Sequence, residues 1–394
     1  MRVLFVTPRA PAPARVGYQV RALEQLRRLA GRHRVTLLAA EAAPPGAPEQ
    51  PAELGLARVL EAPAKLWSRA AGAGGALIAG LPLQCGIFDT ASLRQAISSL
   101  VAAEPFDLVH VQLARLALCV DHALPRHLPR VVDLVDALSV NMTRRAERDR
   151  GPLALLAREE SKRLARYERA LVARWQHATV CTESDRAAIG AHPRLSVNAN
   201  GVDGSRLAFS RAPRLPGRVI FSGNLGYFPN IEALEWLASE IWPRVRARLP
   251  WAELVAVGAR PHRRLARLAR VTAGVELVGP VEDLRAELVR AMVSVAPIRA
   301  GSGQPLKVLE ALAVGTPVVA TPSAAAGLEV ISGEHLLLAA DAGAFAEAIV
   351  RLLERPDLRD RVAAAGRELI ERSHGWDEPV EALDEIWMRA SVNG

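Results

Sequence analysis

The chain has 394 residues, half of them hydrophobic, which is long for one domain, comfortable for two, and excludes wholesale disorder. Its net charge of +8 is carried almost entirely by arginine, since only Lys65, Lys162 and Lys307 among its 50 basic residues are lysines. Cys85, Cys119 and Cys181 stand far apart and the nine histidines show no H-x-x-x-H spacing; this argues against a disulfide framework or a zinc site and fits a reducing cytoplasm.

Met1 runs straight into RVLFVTP, so no signal peptide is expected before the first strand, Arg2 to Thr7. Gly17 opens a helix with apolar residues at three- and four-residue spacing, and Val35 to Ala39 is a second strand. A Pro- and Ala-rich loop, Ala42 to Pro51, precedes a third strand, ARVLEA. The most apolar span, Ala71 to Phe88, is broken by glycines, Pro82 and Gln84. It falls short of the ~20 apolar residues a bilayer crossing needs, so the chain is expected to be soluble.

Thr90 to Ala103 reads as an amphipathic helix, Asp107 to Val111 and Arg130 to Asp136 as strands, and Leu153 to Trp175 as a long amphipathic helix. Thr182, with Asp185 three residues on, marks a capped helix start. A second unit begins near Arg218 with RVIFSG as a strand. Asn230 to Leu249 is a helix, AELVAVG and GVELVG are strands, Glu282 to Arg290 is a helix and VSVAPI a strand. The Asn-Gly turn within Asn198 to Phe209 closes the first unit, and Pro213, Pro216 and Gly217 form a hinge. The expected fold is α/β, with two doubly wound parallel sheets in tandem. Expected domains span 1–204 and 205–375, with a terminal helix over 376–394 crossing back to the first. In this architecture ligands bind at the carboxyl ends of the strands, in a cleft between the lobes.

The chemistry concentrates in APIRAGSGQPLKVLEALAVGTPVVATP, Ala296 to Pro322. Gly301 and Gly303 bracket Ser302 in a loop whose amides can approach a ligand closely. The helix that follows offers unpaired N–H groups suited to a phosphate, and Arg299 and Lys307 flank the loop with full charges. Glu310, one turn past Lys307, can accept from sugar hydroxyls. A diphosphate joined to a ribose would satisfy all of these groups. The plain alternative is an ordinary crossover with a solvated Lys and Glu.

The run Gly303 to Ala320 resembles the donor-site motif of the family 4 retaining glycosyltransferases. Asn200 to Asp203 looks like that family's interdomain link, Phe221 to Leu234 like the first strand and helix of its C-terminal domain, and Gly279 to Leu284 like its nucleotide-base loop. Ser373 to Trp376 resembles its step into a terminal crossover helix. Gly17 with Arg21, the DLVD segment and Arg166 to Leu171 are similar to bacterial sugar transferases of exopolysaccharide- and exosortase-associated clusters.

The resemblance implies a GT-B fold with an acceptor-side N-terminal domain, a nucleotide-sugar donor (UDP being the more frequent), no required metal or other cofactor, and retention of anomeric configuration. It assigns Glu310 to the ribose, Gly301, Ser302, Gly303 and Lys307 to the diphosphate, and Val281 and its neighbour Gly279 to the base. Gly223 and Asn224 fall in the donor region, while Gly17, Arg21 and Asp136 fall on the acceptor side. The departures are specific. Ser302 stands where many members have a first glutamate, and Asn224 and Pro229 or Asn230 stand where many carry an Arg and a Lys. Lys307 and Arg299 then become the catalytic cations against the leaving diphosphate. His110, first residue of what is often an H-x-H pattern, is a candidate for proton handling, with Gln112 in place of the second histidine.

Two alternatives remain at this point: an epimerase or hydrolase of the same fold, and a degenerate donor-binding subunit. The acceptor is open between a lipid-linked saccharide, a polysaccharide intermediate and a secondary metabolite. The basic surface would suit a peripheral contact with the inner membrane face, in a protein otherwise cytoplasmic. Nucleic acid is disfavoured, because the basic residues are scattered and few aromatics interleave with them.

Overall fold

A computed structural model describes residues 1–14, 16–42, 54–299, 304 and 306–392. Apolar runs bounded by charge, glycine or proline form β1 Arg2–Arg9, β2 Arg34–Glu41, β3 Arg58–Glu61, β4 Leu108–Gln112, β5 Arg130–Val135, β6 His177–Val180 and β7 Leu195–Val197. They pair in parallel in the order β3-β2-β1-β4-β5-β6-β7. The second sheet contains β8 Arg218–Ser222, β9 Glu253–Val257, β10 Val275–Gly279, β11 Val293–Ala296, β12 Val318–Ala320 and β13 Leu337–Leu338, again all parallel, in the order β10-β9-β8-β11-β12-β13. Each sheet reverses its strand order beside its own first strand, which is the Rossmann arrangement. Helices connect the strands because a parallel pair needs a long crossover. Strand interiors such as Val3, Leu4, Phe5 and Val6 are fully buried, as both faces of such a sheet are covered.

The chain divides into two units, Met1–Ala199 with Asp377–Gly394, and Asn200–Trp376. The first change falls at Ala199/Asn200, where the sequence suggested 204/205, and the hydrogen bonds give the reason. Arg21 donates to the Ala199 carbonyl and the Asn198 amide group to that of Pro379, whereas the Asn200 backbone N–H donates to Gln304. Within the second unit, the Asn200 to Asp203 link and the Ser373 to Trp376 step lie side by side. Val202 N–H donates to the His374 carbonyl at 2.8 Å, and a Cβ on Gly201 would come within 2.7 Å of the Gly375 backbone. Only glycine permits that approach.

The terminal helix, Asp377–Val392, packs in the first unit, placing Trp387 against His110 and Asp384 against His33. The apolar span Ala71 to Phe88 falls in two short helices, Leu66–Ile78 and Leu83–Phe88, and no described helix is long and apolar enough to cross a membrane. Thr182 caps the helix Glu183–Ile189 by accepting from the Asp185 N–H.

Candidate functional site

In the second unit, a row of glycines ends three adjacent strands. Gly223 follows β8, Gly258 follows β9 and Gly279 closes β10, all with positive φ. Gly223 N–H donates to the Val257 carbonyl and Gly258 N–H to that of Gly279. A Cβ on Gly258 would lie 1.6 Å from the Gly223 oxygen, so side chains are excluded and the rim stays open to a ligand. The base-loop segment from Gly279 therefore lies on the rim that carries Gly223 and Asn224. Val281 is half-buried against this unit's core.

At the switch point between β8 and β11, two cations converge on the helix Phe228–Trp236. The Lys307 ammonium donates to Asn230 Oδ1 at 2.8 Å and stands 3.9 Å from the Phe221 ring centroid. Asn230 is itself fixed, its amide nitrogen donating to the Asn224 carbonyl at 2.9 Å. A Cβ on Gly223 would meet both, 3.0 Å from Asn230 Nδ2 and 3.1 Å from Lys307 Nζ. Burial pushes Lys307 down to about 7, with the Glu310 carboxylate opposing, and raises Glu310 to about 6. Lys307 and Glu310 stand one turn apart on the helix Leu306–Ala313.

Arg299 lies after β11 but is already occupied. It donates twice to Glu232 Oε1, at 3.0 and 2.5 Å, and its guanidinium stacks 4.2 Å from the Trp236 ring centroid. That corrects the picture of two free cations, because the Glu232 charge offsets Arg299 and leaves Lys307 the less compensated of the two. Gly301, Ser302 and Gly303 lie outside the described residues. Glu232 and Trp236 were missed as site residues, and Asn230 was noted only as standing where many family members carry a cation. The signal available was the four-residue spacing of Glu232 and Trp236, which puts them on one helical face.

In the first unit, β1 and β4 flank the switch point, and the candidates there prove largely structural. Arg21 is fully buried and donates to Asp133 at 2.5 and 3.2 Å, with the Ala199 carbonyl and Asn198 completing its fork. Gln25, one turn on, and Thr179 also donate to Asp133. Burial pushes the Asp133 carboxyl up, but the Arg21 charge more than offsets this and holds it below the usual range. Arg21 is thus a core ion pair rather than an acceptor-side contact.

His110 is likewise corrected. It is fully buried, stacked 4.4 Å from Phe5, and its Nδ1 accepts from Trp387 Nε1–H at 3.0 Å. An indole nitrogen only donates, so the ring is neutral with its proton on Nε2, and burial lowers its pKa to about 4. Its Nε2 has no hydrogen-bond partner among the described residues. Gln112 bridges Thr7 and the Tyr18 carbonyl.

Gly17 is exposed at the start of the helix Gly17–Leu29, which has no side-chain cap. Asp136 is half-buried, accepts from Asn141, and follows Val135, whose φ of 66° is strained for a β-branched residue. Glu168, inside the long helix Pro152–Arg174, accepts from the Ser139 N–H and hydroxyl, and burial raises it to about 7.

The fold and this rim define a class: an α/β protein of two Rossmann-like parallel-sheet units, with GT-B glycosyltransferases among its structural neighbours. Residues 216–355, within the second unit, match the model of the family "Glycosyl transferases group 1". The chain is 29% identical over 187 residues to a phosphatidyl-myo-inositol mannosyltransferase of Mycobacterium leprae, covering 46% of this chain and 49% of that protein. It thus spans about half the length of the curated relatives it matches. Among solved structures, the sucrose-phosphate synthase of Thermosynechococcus elongatus covers both chains in full at 17% identity and a TM-score of 0.77. Anabaena HepE in complex with UDP-glucose covers 98% of each at 14% identity and a TM-score of 0.70. Together these matches support a glycosyltransferase family.

Proposed function

We propose that this chain is a retaining, metal-independent glycosyltransferase of family 4 that takes its sugar from a UDP-linked donor held on the second unit. The observation carrying the reading is the Lys307 ammonium fixed by Asn230 beside the strand-end glycines, in the stretch that matches the family model. The UDP-glucose bound by HepE supports the choice of donor.

Breaking the glycosyl bond builds negative charge on the departing diphosphate. Lys307, partly desolvated and already oriented, stabilises that charge without reorganising. Glu310 accepts from the ribose hydroxyls, and the base lies along Gly279 and Val281. Arg299 joins only if it exchanges Glu232 for a phosphate. The diphosphate takes the acceptor's proton, which leaves no need for a histidine base. The acceptor is a hydroxyl of a lipid-linked or polymeric saccharide.

Lys307→Ala tests the reading. Turnover of the preferred UDP-sugar, found by screening donors against acceptor extracts, should fall by about 10²–10³-fold, the loss of one transition-state contact. Unchanged turnover with every donor would remove Lys307 from the mechanism.

A further inference from the structure

In the donor reading each phosphoryl group of the diphosphate brings negative charge, and the rim of the second unit answers it unevenly. Lys307 stands ready on Asn230, while Arg299 is offset by Glu232. The loop that follows β9 carries a further cation. It runs Gly258, Ala259, Arg260, Pro261 and His262 before the helix Arg263–Val271.

Two hydrogen bonds stitch this loop to the one that follows β8. Leu225 N–H donates to the Ala259 carbonyl at 2.9 Å, and His262 N–H to the Leu225 carbonyl at 3.3 Å. Between those bonds Arg260 lies against Gly226, where a Cβ would come 3.2 Å from the Arg260 Cβ and 2.9 Å from its oxygen. Gly226 N–H in turn donates to Asn224 Oδ1 at 3.1 Å. The Asn224 carbonyl accepts from Asn230, the residue that holds Lys307. Arg260 and Lys307 thus adjoin the same loop, residues 224–230, from different strand ends, one after β9 and the other after β11.

Arg260 is exposed, and its side chain has no ion pair or hydrogen bond among the described residues. Its φ of 57° lies in the left-handed region, which costs an arginine backbone energy and a glycine none. A guanidinium kept in that conformation at a strand-end rim points to use. Behind it the charge has one sign. Residues 259–270 contain five arginines and no acidic residue, and none of the five is ion-paired among the described residues. No neighbouring carboxylate closes on Arg260 as Glu232 closes on Arg299.

We propose that Arg260 is the second cation of the donor site, its guanidinium taking a phosphoryl oxygen of the nucleoside diphosphate alongside Lys307. This rests on the donor reading above and adds a contact from the loop after β9. A planar guanidinium suits the part, because its fork can give two parallel N–H bonds to one phosphoryl group. The acid-free run behind it draws the anionic donor toward the rim.

The test is calorimetric titration of the full chain with UDP, comparing the wild type with Arg260→Gly, Arg260→Lys, Arg260→Gln and Arg267→Ala. Arg260→Gly removes the fork and relieves the left-handed backbone. UDP affinity is expected to fall about tenfold, the loss of one charge-assisted hydrogen bond, while the melting temperature holds or rises. Arg260→Lys should recover part of the loss and Arg260→Gln none, since only lysine restores the charge. Arg267→Ala takes an equal charge from the helix behind, and at about 0.15 M salt should change affinity less than about twofold. The proposal is overturned if Arg260→Gly binds UDP as the wild type does, or if Arg260→Gln binds as well as Arg260→Lys. It is also overturned if Arg267→Ala loses as much, or if the loss comes with a lower melting temperature, which would make Arg260 structural. A wild type blind to UDP would remove the donor reading itself, and this contact with it.

Discussion

Lys307 shows how one side chain's surroundings set its use. In water its ammonium is charged throughout the neutral range; half-buried over Phe221 and beside Asn230 it titrates near 7. The unfolded chain therefore binds the extra proton between about pH 7 and the ordinary lysine range, so this group adds stability as pH rises through that window. In the proposed reading, diphosphate binding needs the charged form, and the ligand's own charge would restore it. UDP affinity is expected to fall about tenfold per pH unit above 7. It should also weaken below about 6, where Glu310 is protonated. Calorimetry at pH 8 in two buffers of different ionisation enthalpy should register uptake of about one proton, and Lys307→Met should abolish it. A flat affinity profile across this range would mean Lys307 does not meet the phosphates.

Among the elements, the terminal helix Asp377–Val392 gains most from tertiary context. Alone it is an ordinary amphipathic segment. In the first unit its Trp387 is fully buried, hydrogen-bonded to His110 and edge-on to His33, while Asp384 takes Arg32 and His33. Trp387→Ala removes a large buried ring and leaves His110 Nδ1 without its donor. A loss of about 3–5 kcal/mol is expected in denaturant unfolding, and Trp387→Phe should cost much less. If both variants unfold like the wild type, the helix is not part of that core.

For the whole molecule, the grouping of the chain makes a statement about function. The candidate donor residues, from Gly223 to Glu310, fall within Asn200–Trp376, which has its own sheet and core. A fragment of residues 200–376 should therefore fold cooperatively and bind UDP within about tenfold of the full chain, while transferring no sugar. Thermal shift with UDP checks this, since a ligand stabilises by RT ln(1 + [L]/Kd). A folded fragment blind to UDP would place the nucleotide elsewhere.

The order of strands and helices was legible in the chain, because a strand buried on both faces is a run of apolar residues and a helix repeats its apolar stripe every three or four. The placing of Lys307 and Glu310 one turn apart on the helix after β11 was legible too, being a matter of near neighbours in sequence. Partnership was not. Arg21 meets Asp133 across 112 residues and His110 meets Trp387 across 277, so spacing could suggest polar groups near strand ends but not that they satisfy each other inside the core. The same holds for Arg299, whose charge reads as free until Glu232 and Trp236, more than sixty residues away, close on it. Local pattern determined the elements and the Lys307–Glu310 turn. Tertiary structure alone decided which charges remain available, because a charge is spent or spared by neighbours that only folding brings near.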